Sequence, residues 1–106
     1  MPRSARLIPD AGVFHIITRG NNREDVFHED DDFPKYLDLL AAIQKEHPFK
    51  LYHYCLMTNH VHLLLETQSG HPLSRIMKKI NLSYALYYKK KYRHIGHFWQ
   101  DRFKVF

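Results

Sequence analysis

The sequence predicts an α+β protein in which two helices cover one face of an antiparallel sheet. Three observations support this prediction: runs of β-branched and aromatic residues, two stretches with helical periodicity, and their order along the chain, which is strand, helix, strand, strand, helix, strand. That order is the split βαββαβ arrangement of the ferredoxin-like fold. With 106 residues the chain is long enough for one hydrophobic core and too short for a second. We therefore predict a single domain over residues 1–106.

The first strand and the first helix have clear boundaries in the sequence. Residues 13–18 read Val-Phe-His-Ile-Ile-Thr, a β-branched run that ends in a loop rich in Gly and Asn. An acidic cluster at residues 29–32, followed by Pro34, is typical of a helix start because the helix dipole favours carboxylates there. Pro48 ends the periodic pattern. The first helix is therefore predicted over residues 31–46.

The central hairpin is predicted from two strand patterns, residues 50–57 and 60–66, which are separated only by a Thr-Asn pair. A two-residue turn sets the register between the strands. In this register Tyr52 and Tyr54 fall on the same face as the apolar residues of the second strand. We therefore expect both tyrosines to pack in the core.

The last third of the chain predicts a second helix over residues 72–92 and a short final strand. Apolar side chains recur at helical spacing from Leu73 to Tyr88, and basic side chains occupy the opposite side. Residues 94–96, which include a glycine, break the pattern. Aromatic and β-branched residues near the chain end then indicate the final strand.

Two histidines, His60 and His62, stand one residue apart inside the third predicted strand. Side chains at i and i+2 of a strand share a face and lie roughly 6–7 Å apart, which suits two ligands of one divalent cation. In the predicted topology the first strand pairs with the third, so His15 and Arg19 are expected on the same open face. His15 would then be a third ligand of the metal, or it would orient one of the two ligating histidines. The alternative is that the histidines are only polar residues on a solvated face.

The charge of the chain is unevenly distributed. Residues 1–66 contain seven Lys or Arg against ten Asp or Glu, whereas residues 67–106 contain nine Lys or Arg against Asp101 alone. Such an excess attracts polyanions, and nucleic acid is the expected partner. No apolar run approaches the ~20 residues of a membrane span, and the single cysteine excludes an intrachain disulfide. We therefore expect a soluble, cytoplasmic protein with no membrane partner.

Three blocks of the sequence have a recognisable pattern. Residues 54–65 follow Y-x-x-M-x-N-H-x-H-L-L-L, residues 19–23 read R-G-N-N-R, and residues 96–104 fit G-H-x-x-Q-x-R-F-K. Together these blocks resemble those of the REP-associated tyrosine transposases, within the HUH single-tyrosine transposase superfamily. They occur in the family's order and span nearly the whole chain.

The resemblance implies a nuclease that recognises hairpins in single-stranded DNA, nicks beside them and transfers strands through a 5′-phosphotyrosine. It implies that His60 and His62 bind a divalent metal, Mg²⁺ or Mn²⁺, with His15 and Asn59 as candidates for supporting contacts. It also implies a homodimer. Four aromatic residues near the chain end are expected to form an exposed apolar patch, which a second copy of the chain would cover. They are Phe98, Trp99, Phe103 and Phe106.

In the family the nucleophilic tyrosine lies on a helix that follows the last block, whereas this sequence ends two residues past Lys104. We therefore expect the nucleophile beyond Phe106 and a domain that is C-terminally truncated relative to the family. Tyrosines of the second predicted helix are not expected to replace it, because most of them lie on its apolar face: Tyr84, Tyr87, Tyr88 and Tyr92. On this reasoning the chain binds metal and DNA but is inactive alone.

DNA contacts are expected chiefly from basic residues, because phosphate neutralisation supplies most sequence-independent affinity. The expected phosphate contacts are Arg19, Arg23, Arg75, Lys78, Lys79, Lys89, Lys90, Arg93 and Arg102. The amides of Asn21, Asn22 and Gln100 are suited to reading base edges, although Asn is also a common turn residue.

Two other functions remain open from the sequence. One is a metal-free nucleic-acid-binding module of the RRM kind, which shares the topology and also uses an open sheet face. Against it, the first and third predicted strands have histidines rather than aromatic residues at open-face positions. The other is a small metallohydrolase unrelated to DNA.

Overall fold

The structure is a computed structural model that describes residues 9–100 and 103–106. In chain order its elements are strand β1 (Gly12–Arg19), a 3-10 turn (Asn21–Arg23), helix α1 (Asp32–Glu46), strand β2 (Phe49–Met57), strand β3 (His60–Thr67), helix α2 (Leu73–Tyr92) and strand β4 (Lys104–Val105). The predicted α+β class and split βαββαβ order are confirmed. Neither helix in this part of the chain has the length and apolar content that crossing a bilayer requires.

The strands of the described residues form one antiparallel sheet in the order β2-β3-β1-β4. Along β3 every second residue is buried, from Val61 to Thr67, and the residues between them are partly exposed. The apolar members of the buried set pack with both helices in a common core. The helices thus cover one face of the sheet, and the face with His60 and His62 stays open, as the alternation predicted.

The pairing of β1 with β3 has the predicted consequence for the open face. Arg19 lies opposite His60, and His15 lies opposite Leu64. The alternate residues of β1 that face the helices are buried. His15 and Arg19 are therefore on the same face of the sheet as the two histidines of β3.

The hairpin of β2 and β3 keeps the predicted pairing near its turn, where Met57 lies opposite His60. Neither Thr58 nor Asn59 has a positive φ. Instead, the loop after β1 stabilises the turn through a hydrogen bond, which the amide of Gly20 donates to the Asn59 carbonyl (3.0 Å). External contacts thus compensate for a turn sequence with weak hairpin preference.

The expected burial of Tyr52 and Tyr54 is wrong. A β-bulge shifts the register, so that Leu51 rather than Tyr52 lies opposite Leu65. Tyr52 is 54% exposed, and its hydroxyl donates a hydrogen bond to Glu66 on the open side. Tyr54 keeps its predicted register but is 44% exposed, because β2 is an edge strand. One extra residue reverses the face on which a strand side chain lies.

A buried aspartate joins the start of α1 to the end of α2. Asp32 has no exposed surface, and its Oδ1 accepts hydrogen bonds from the Tyr87 hydroxyl (2.6 Å) and the Lys91 ammonium (2.8 Å). Its Oδ2 accepts from the Tyr92 hydroxyl and from two backbone amides of the preceding loop, at 2.9 and 3.0 Å. We call Asp32, Tyr87, Lys91 and Tyr92 the Asp32 cluster. The helix-start prediction included Asp32 but missed its partners, although Lys91 follows Tyr87 at the i+4 spacing of neighbours on a helix.

Candidate metal and nucleic-acid site

Three histidine rings lie side by side on the open face of the sheet. The ring centroids of His60 and His62 are 4.9 Å apart, and the ring of His15 stacks on that of His62 at 5.5 Å. Strand periodicity places His60 and His62 on one face, and the pairing of β1 with β3 brings His15 beside them. The structure thus brings together the two residues predicted as ligands and the histidine predicted to support them.

Hydrogen bonds orient these rings. Nδ1 of His60 lies 2.7 Å from Oδ1 of Asn59. Because an amide oxygen only accepts, Nδ1 is protonated and the lone pair of His60 is on Nε2. Nδ1 of His62 lies 3.3 Å from Nε2 of His15, which leaves Nε2 of His62 outside this contact. Asn59 and His15 therefore contact the ring nitrogens opposite to those that would bind a metal.

The surroundings of both imidazoles lower their pKa values and so favour the neutral form. Burial lowers the pKa of His60, and the positive charge of Arg19 lowers it further. Burial is also the main cause that lowers the pKa of His62, followed by the charges of His60 and His15. Neutral imidazole is the form that binds metal ions, so the rings need not lose a proton at neutral pH.

The histidine pair offers two nitrogen ligands and no carboxylate. Within residues 9–100 and 103–106, no group of three or more His, Cys, Asp or Glu side chains is arranged to hold an ion. His15 therefore fits the supporting role better than that of a third ligand. A cation held by His60 and His62 would complete its coordination with water and with oxygens of a bound substrate, as catalytic sites require.

The segments that contain the other two sequence blocks meet beside the histidines. Gly20 and Trp99 form an antiparallel bridge, and the amide of Gln100 donates to the Arg19 carbonyl (2.9 Å). The amide of Gly20 in turn donates to the carbonyl of Asn59. The fold therefore gathers all three blocks at one end of the sheet, although they are far apart in sequence.

Gly20 has no room for a side chain, because the loop that follows it returns close to its Cα. A Cβ there would lie 2.3 Å from the carbonyl oxygen of Glu24 and 2.8 Å from Cγ1 of Val26. We expect Gly20→Ala to lower the free energy of unfolding by about 1–3 kcal/mol, the usual cost of overpacking, as measured by urea denaturation. Gly12→Ala is the control, because its Cβ would meet only the movable ring of Phe14, at 3.1 Å. If Gly20→Ala and Gly12→Ala lose equal free energies of unfolding, the steric contacts at Gly20 are not the cause of its loss.

The loop after Gly20 contains two residues in the left-handed region, Asn22 with φ 54° and Arg23 with φ 59°. Both side chains are exposed. The turn-residue explanation for Asn22 is thus supported, since Asn tolerates this conformation better than most residues. Consecutive left-handed residues are costly and tend to occur at functional sites.

The predicted phosphate contacts do not form one continuous surface. Helix α2 packs on the covered face of the sheet and is 20 residues long, or about 30 Å. Its C-terminal half lies at the histidine end, where the Tyr84 hydroxyl donates to the Val26 carbonyl (2.6 Å). The predicted cations at this end are Arg19, Arg23, Lys89, Lys90 and Arg93.

A second group of predicted cations lies at the other end of α2 and comprises Arg75, Lys78 and Lys79. Lys79 forms an ion pair with Glu46, whereas Arg75 and Lys78 are exposed. Arg102 lies outside the described residues. Only an extended ligand such as a nucleic-acid stem could contact both groups at once.

The tyrosines of α2 are not placed as nucleophiles. Tyr84 is fully buried and Tyr88 is 7% exposed, while the hydroxyls of Tyr87 and Tyr92 both donate to Asp32. Burial raises the pKa of all four phenols. A raised pKa disfavours the phenolate that would attack a phosphodiester.

The expected exposure of the aromatic residues near the chain end is wrong for three of the four. Phe98 and Phe103 are each 6% exposed, and Trp99 packs against the core. The segment folds back on α2, where Nε1 of Trp99 donates to the Asn81 carbonyl (2.9 Å). Phe106 is 71% exposed. The apolar patch that motivated a dimer therefore does not exist, and the homodimer remains a prediction from resemblance.

Comparisons with known proteins agree with this geometry. The profile of the IS200-like transposases matches residues 11–106. No curated protein matches the sequence. A REP-associated tyrosine transposase bound to a REP hairpin superposes with a TM-score of 0.76 at 15% identity, over 100% of this chain and 61% of the other. A candidate transposase from Deinococcus radiodurans R1 superposes with a TM-score of 0.73 at 21% identity, over 99% of this chain and 85% of the other.

At these identities the two structural matches show a shared fold. The chain spans about three-fifths of the length of the REP-associated transposase, with 61% covered.

Proposed function

The chain belongs to the IS200-like transposase family, and from this premise we propose that it binds hairpin-containing single-stranded DNA and a divalent metal for DNA nicking and strand transfer. The sequence-based resemblance to single-tyrosine transposases is confirmed at the level of the family. The observation that supports the proposal best is the adjacent pair of imidazoles on the open face of β3, His60 and His62, whose ring centroids are 4.9 Å apart.

His60 and His62 are the proposed metal ligands, with Mg²⁺ or Mn²⁺ as the metal. Their rings are already oriented by Asn59 and His15, which reduces the reorganisation that binding would require. A bound divalent cation would supply Lewis-acid polarisation of a phosphodiester oxygen. Nitrogen ligands suit Mn²⁺ better than Mg²⁺, so Mn²⁺ is the better ion for binding experiments.

Arg19 is the proposed contact to the phosphate at this site. It lies opposite His60 and its side chain is exposed. The guanidinium is always charged and can bind a phosphate through two parallel hydrogen bonds. In this role Arg19 draws the DNA backbone to the histidines, while its charge adds to burial in lowering the pKa of His60.

A hairpin ligand explains why cations occur at both ends of α2. A stem presents phosphates along its length, whereas a short single strand at the histidines would leave Arg75 and Lys78 unused. The solved REP-associated transposase was bound to a REP hairpin, which supports the same class of ligand for this chain. The RRM alternative loses support, because β1 and β3 have histidines and arginine on their open face.

The covalent step needs a tyrosine nucleophile, and the hydroxyls of α2 are buried or engaged in hydrogen bonds. We therefore propose that no tyrosine of α2 is the nucleophile and that, as the resemblance implies, the nucleophile lies outside the described residues. By itself the chain is proposed to bind metal and DNA without forming a 5′-phosphotyrosine.

DNA binding across a salt series tests this function. A labelled hairpin with a single-stranded flank should bind more tightly than a duplex of equal length, and its affinity should fall about 10²- to 10³-fold between about 50 and 200 mM salt for roughly five phosphate contacts. Lys90→Ala and Arg93→Ala should each reduce the salt slope by about 1. Lys45→Ala, an exposed charge on α1, is the control and should leave the slope unchanged. A DNA affinity that depends neither on salt nor on the form of the DNA would refute the proposal. A protein–DNA adduct that resists denaturation would refute the placement of the nucleophile.

A further inference from the structure

A slot on the helix side of the molecule has no role in the proposed function. It lies between α2 and the segment of residues 96–99, is widely open to solvent and has a volume of about 290 Å³. Leu82 and Ala85 contribute apolar surface, Trp99 lines it from the opposite segment, and Lys89 lies among its lining residues. Its volume suits one small planar group.

Trp99 lines this slot from the side opposite α2, and its indole is held in place by its contacts. Its Nε1 donates to the Asn81 carbonyl (2.9 Å), and its ring packs edge-on against that of Phe98 at 4.8 Å. The ring is only partly buried. A rigid, partly exposed aromatic ring is the element on which unpaired bases stack in proteins that bind single strands.

Asn81, which also lines the slot, connects it to strand β1. Its Nδ2 donates to the Thr18 hydroxyl (3.3 Å), and its backbone carbonyl accepts the hydrogen bond from Trp99. The wall that α2 contributes is therefore tied both to the sheet and to the segment that contains Trp99.

The charge around the slot suits a polyanion. Lys89 and His97 line it, and Lys90 and Arg93 follow on the same end of α2. Among the described residues that line it, none is acidic. The slot is also joined to the loop after β1, since Gly20 bridges Trp99.

We propose that this slot holds one unpaired nucleobase of the bound DNA, stacked on Trp99, with Lys89 on a neighbouring phosphate. The inference rests on the proposed DNA-binding function and adds a subsite to it. It also gives the basic C-terminal half of α2 a specific task, because a base in the slot brings its backbone to Lys89.

Trp99 is the only tryptophan of the chain, so its emission reports on the slot. We would titrate the protein with a labelled hairpin that has a single-stranded flank and with a blunt hairpin of the same stem, following label anisotropy and Trp99 emission together. The flanked hairpin should quench Trp99 as it binds, and the blunt one should not. Anisotropy changes without quenching, or equal quenching by both hairpins, would overturn the slot and leave the proposed function standing. No anisotropy change with either hairpin would refute the proposed function, and the slot with it.

A pair of matched variants tests the slot from the protein side. Leu82 lines it and is 55% exposed, whereas Leu86 is 60% exposed and lies one turn away outside it. Leu82→Glu should weaken binding of the flanked hairpin by about 5- to 100-fold, the range for losing one stacked base. Leu86→Glu carries the same change of charge and should have a much smaller effect.

Removing single bases tests the slot from the DNA side and does not depend on the folding of a variant. Abasic substitutions along the flank should identify one position where loss of the base both weakens binding and restores Trp99 emission. Uniform effects along the flank, or equal losses in the two glutamate variants, would overturn the proposal. A change in sedimentation caused by Leu82→Glu without DNA would instead identify the slot as a contact between copies of the chain, which also overturns it.

Discussion

Replacing Asp32 by alanine is expected to lower the free energy of unfolding by about 3–5 kcal/mol, the usual penalty for removing one partner of a buried ion pair. Asp32 has no exposed surface, and its two oxygens accept hydrogen bonds from Tyr87, Lys91 and Tyr92 and from two backbone amides. A small domain has about 5–15 kcal/mol of stability in total, so this loss should be visible as a large shift of the urea midpoint.

Asp31→Ala is the matched control for this experiment. The Asp31 carboxylate also contacts Lys91, at 2.8 Å, but it is 72% exposed. An exposed ion pair is worth about 1 kcal/mol or less. Similar losses in the free energy of unfolding for Asp32→Ala and Asp31→Ala would show that burial does not make the Asp32 contacts more stabilising than the exposed ones of Asp31.

The pH dependence of stability offers a second measurement on the same residue. Burial by itself would raise the pKa of Asp32, but hydrogen bonds from the Glu29 amide and from the Asp32 cluster lower it well below its usual value. The folded pKa therefore lies below the unfolded value of about 3.9. Its stabilising contribution is complete above about pH 5 and is lost as the pH falls through the folded pKa. Stability should therefore fall less steeply below about pH 5 in Asp32→Asn than in the wild type, and equal slopes would show that Asp32 is not the group responsible.

The open-face histidines could be predicted from sequence because they depend on local rules. Period-two alternation places His60 and His62 on one face, and the ferredoxin-like order pairs β1 with β3, which adds His15 and Arg19. The same rules failed at Tyr52, because a single inserted residue reverses the alternation. A bulge depends on how the edge strand fits its neighbour, and the sequence of one strand does not specify that fit.

Features that depend on distant packing were the ones missed. Asp32 looked like an ordinary helix-start carboxylate, and its side-chain partners come from the other end of a different helix. Phe98 and Phe103 were expected to be exposed, whereas the segment that contains them folds onto α2. The slot beside Trp99 arises from the same packing. In each case the deciding contact joins residues that no local pattern relates.

Removing the imidazoles of the candidate metal site is the second change with a large expected effect. In calorimetric titrations with Mn²⁺, His60→Ala and His62→Ala should each abolish measurable binding, because a site with only two protein ligands cannot lose one and keep its affinity. Asn59→Ala should bind Mn²⁺ about 10- to 100-fold more weakly, the usual effect of removing a residue that orients a ligand. The free energy of unfolding should change little in the histidine variants, since both side chains are partly exposed.

His53→Ala is the control for these variants. His53 lies on the neighbouring strand, opposite Leu64, and is exposed. Its removal takes away an imidazole from the same sheet without touching the contacts of Asn59 to His60 or of His15 to His62. Mn²⁺ affinity should therefore remain close to that of the wild type. If the wild type binds no Mn²⁺, or if His53→Ala loses as much affinity as His60→Ala, the assignment of His60 and His62 as the metal ligands is wrong, whereas a loss confined to the β3 variants would support it.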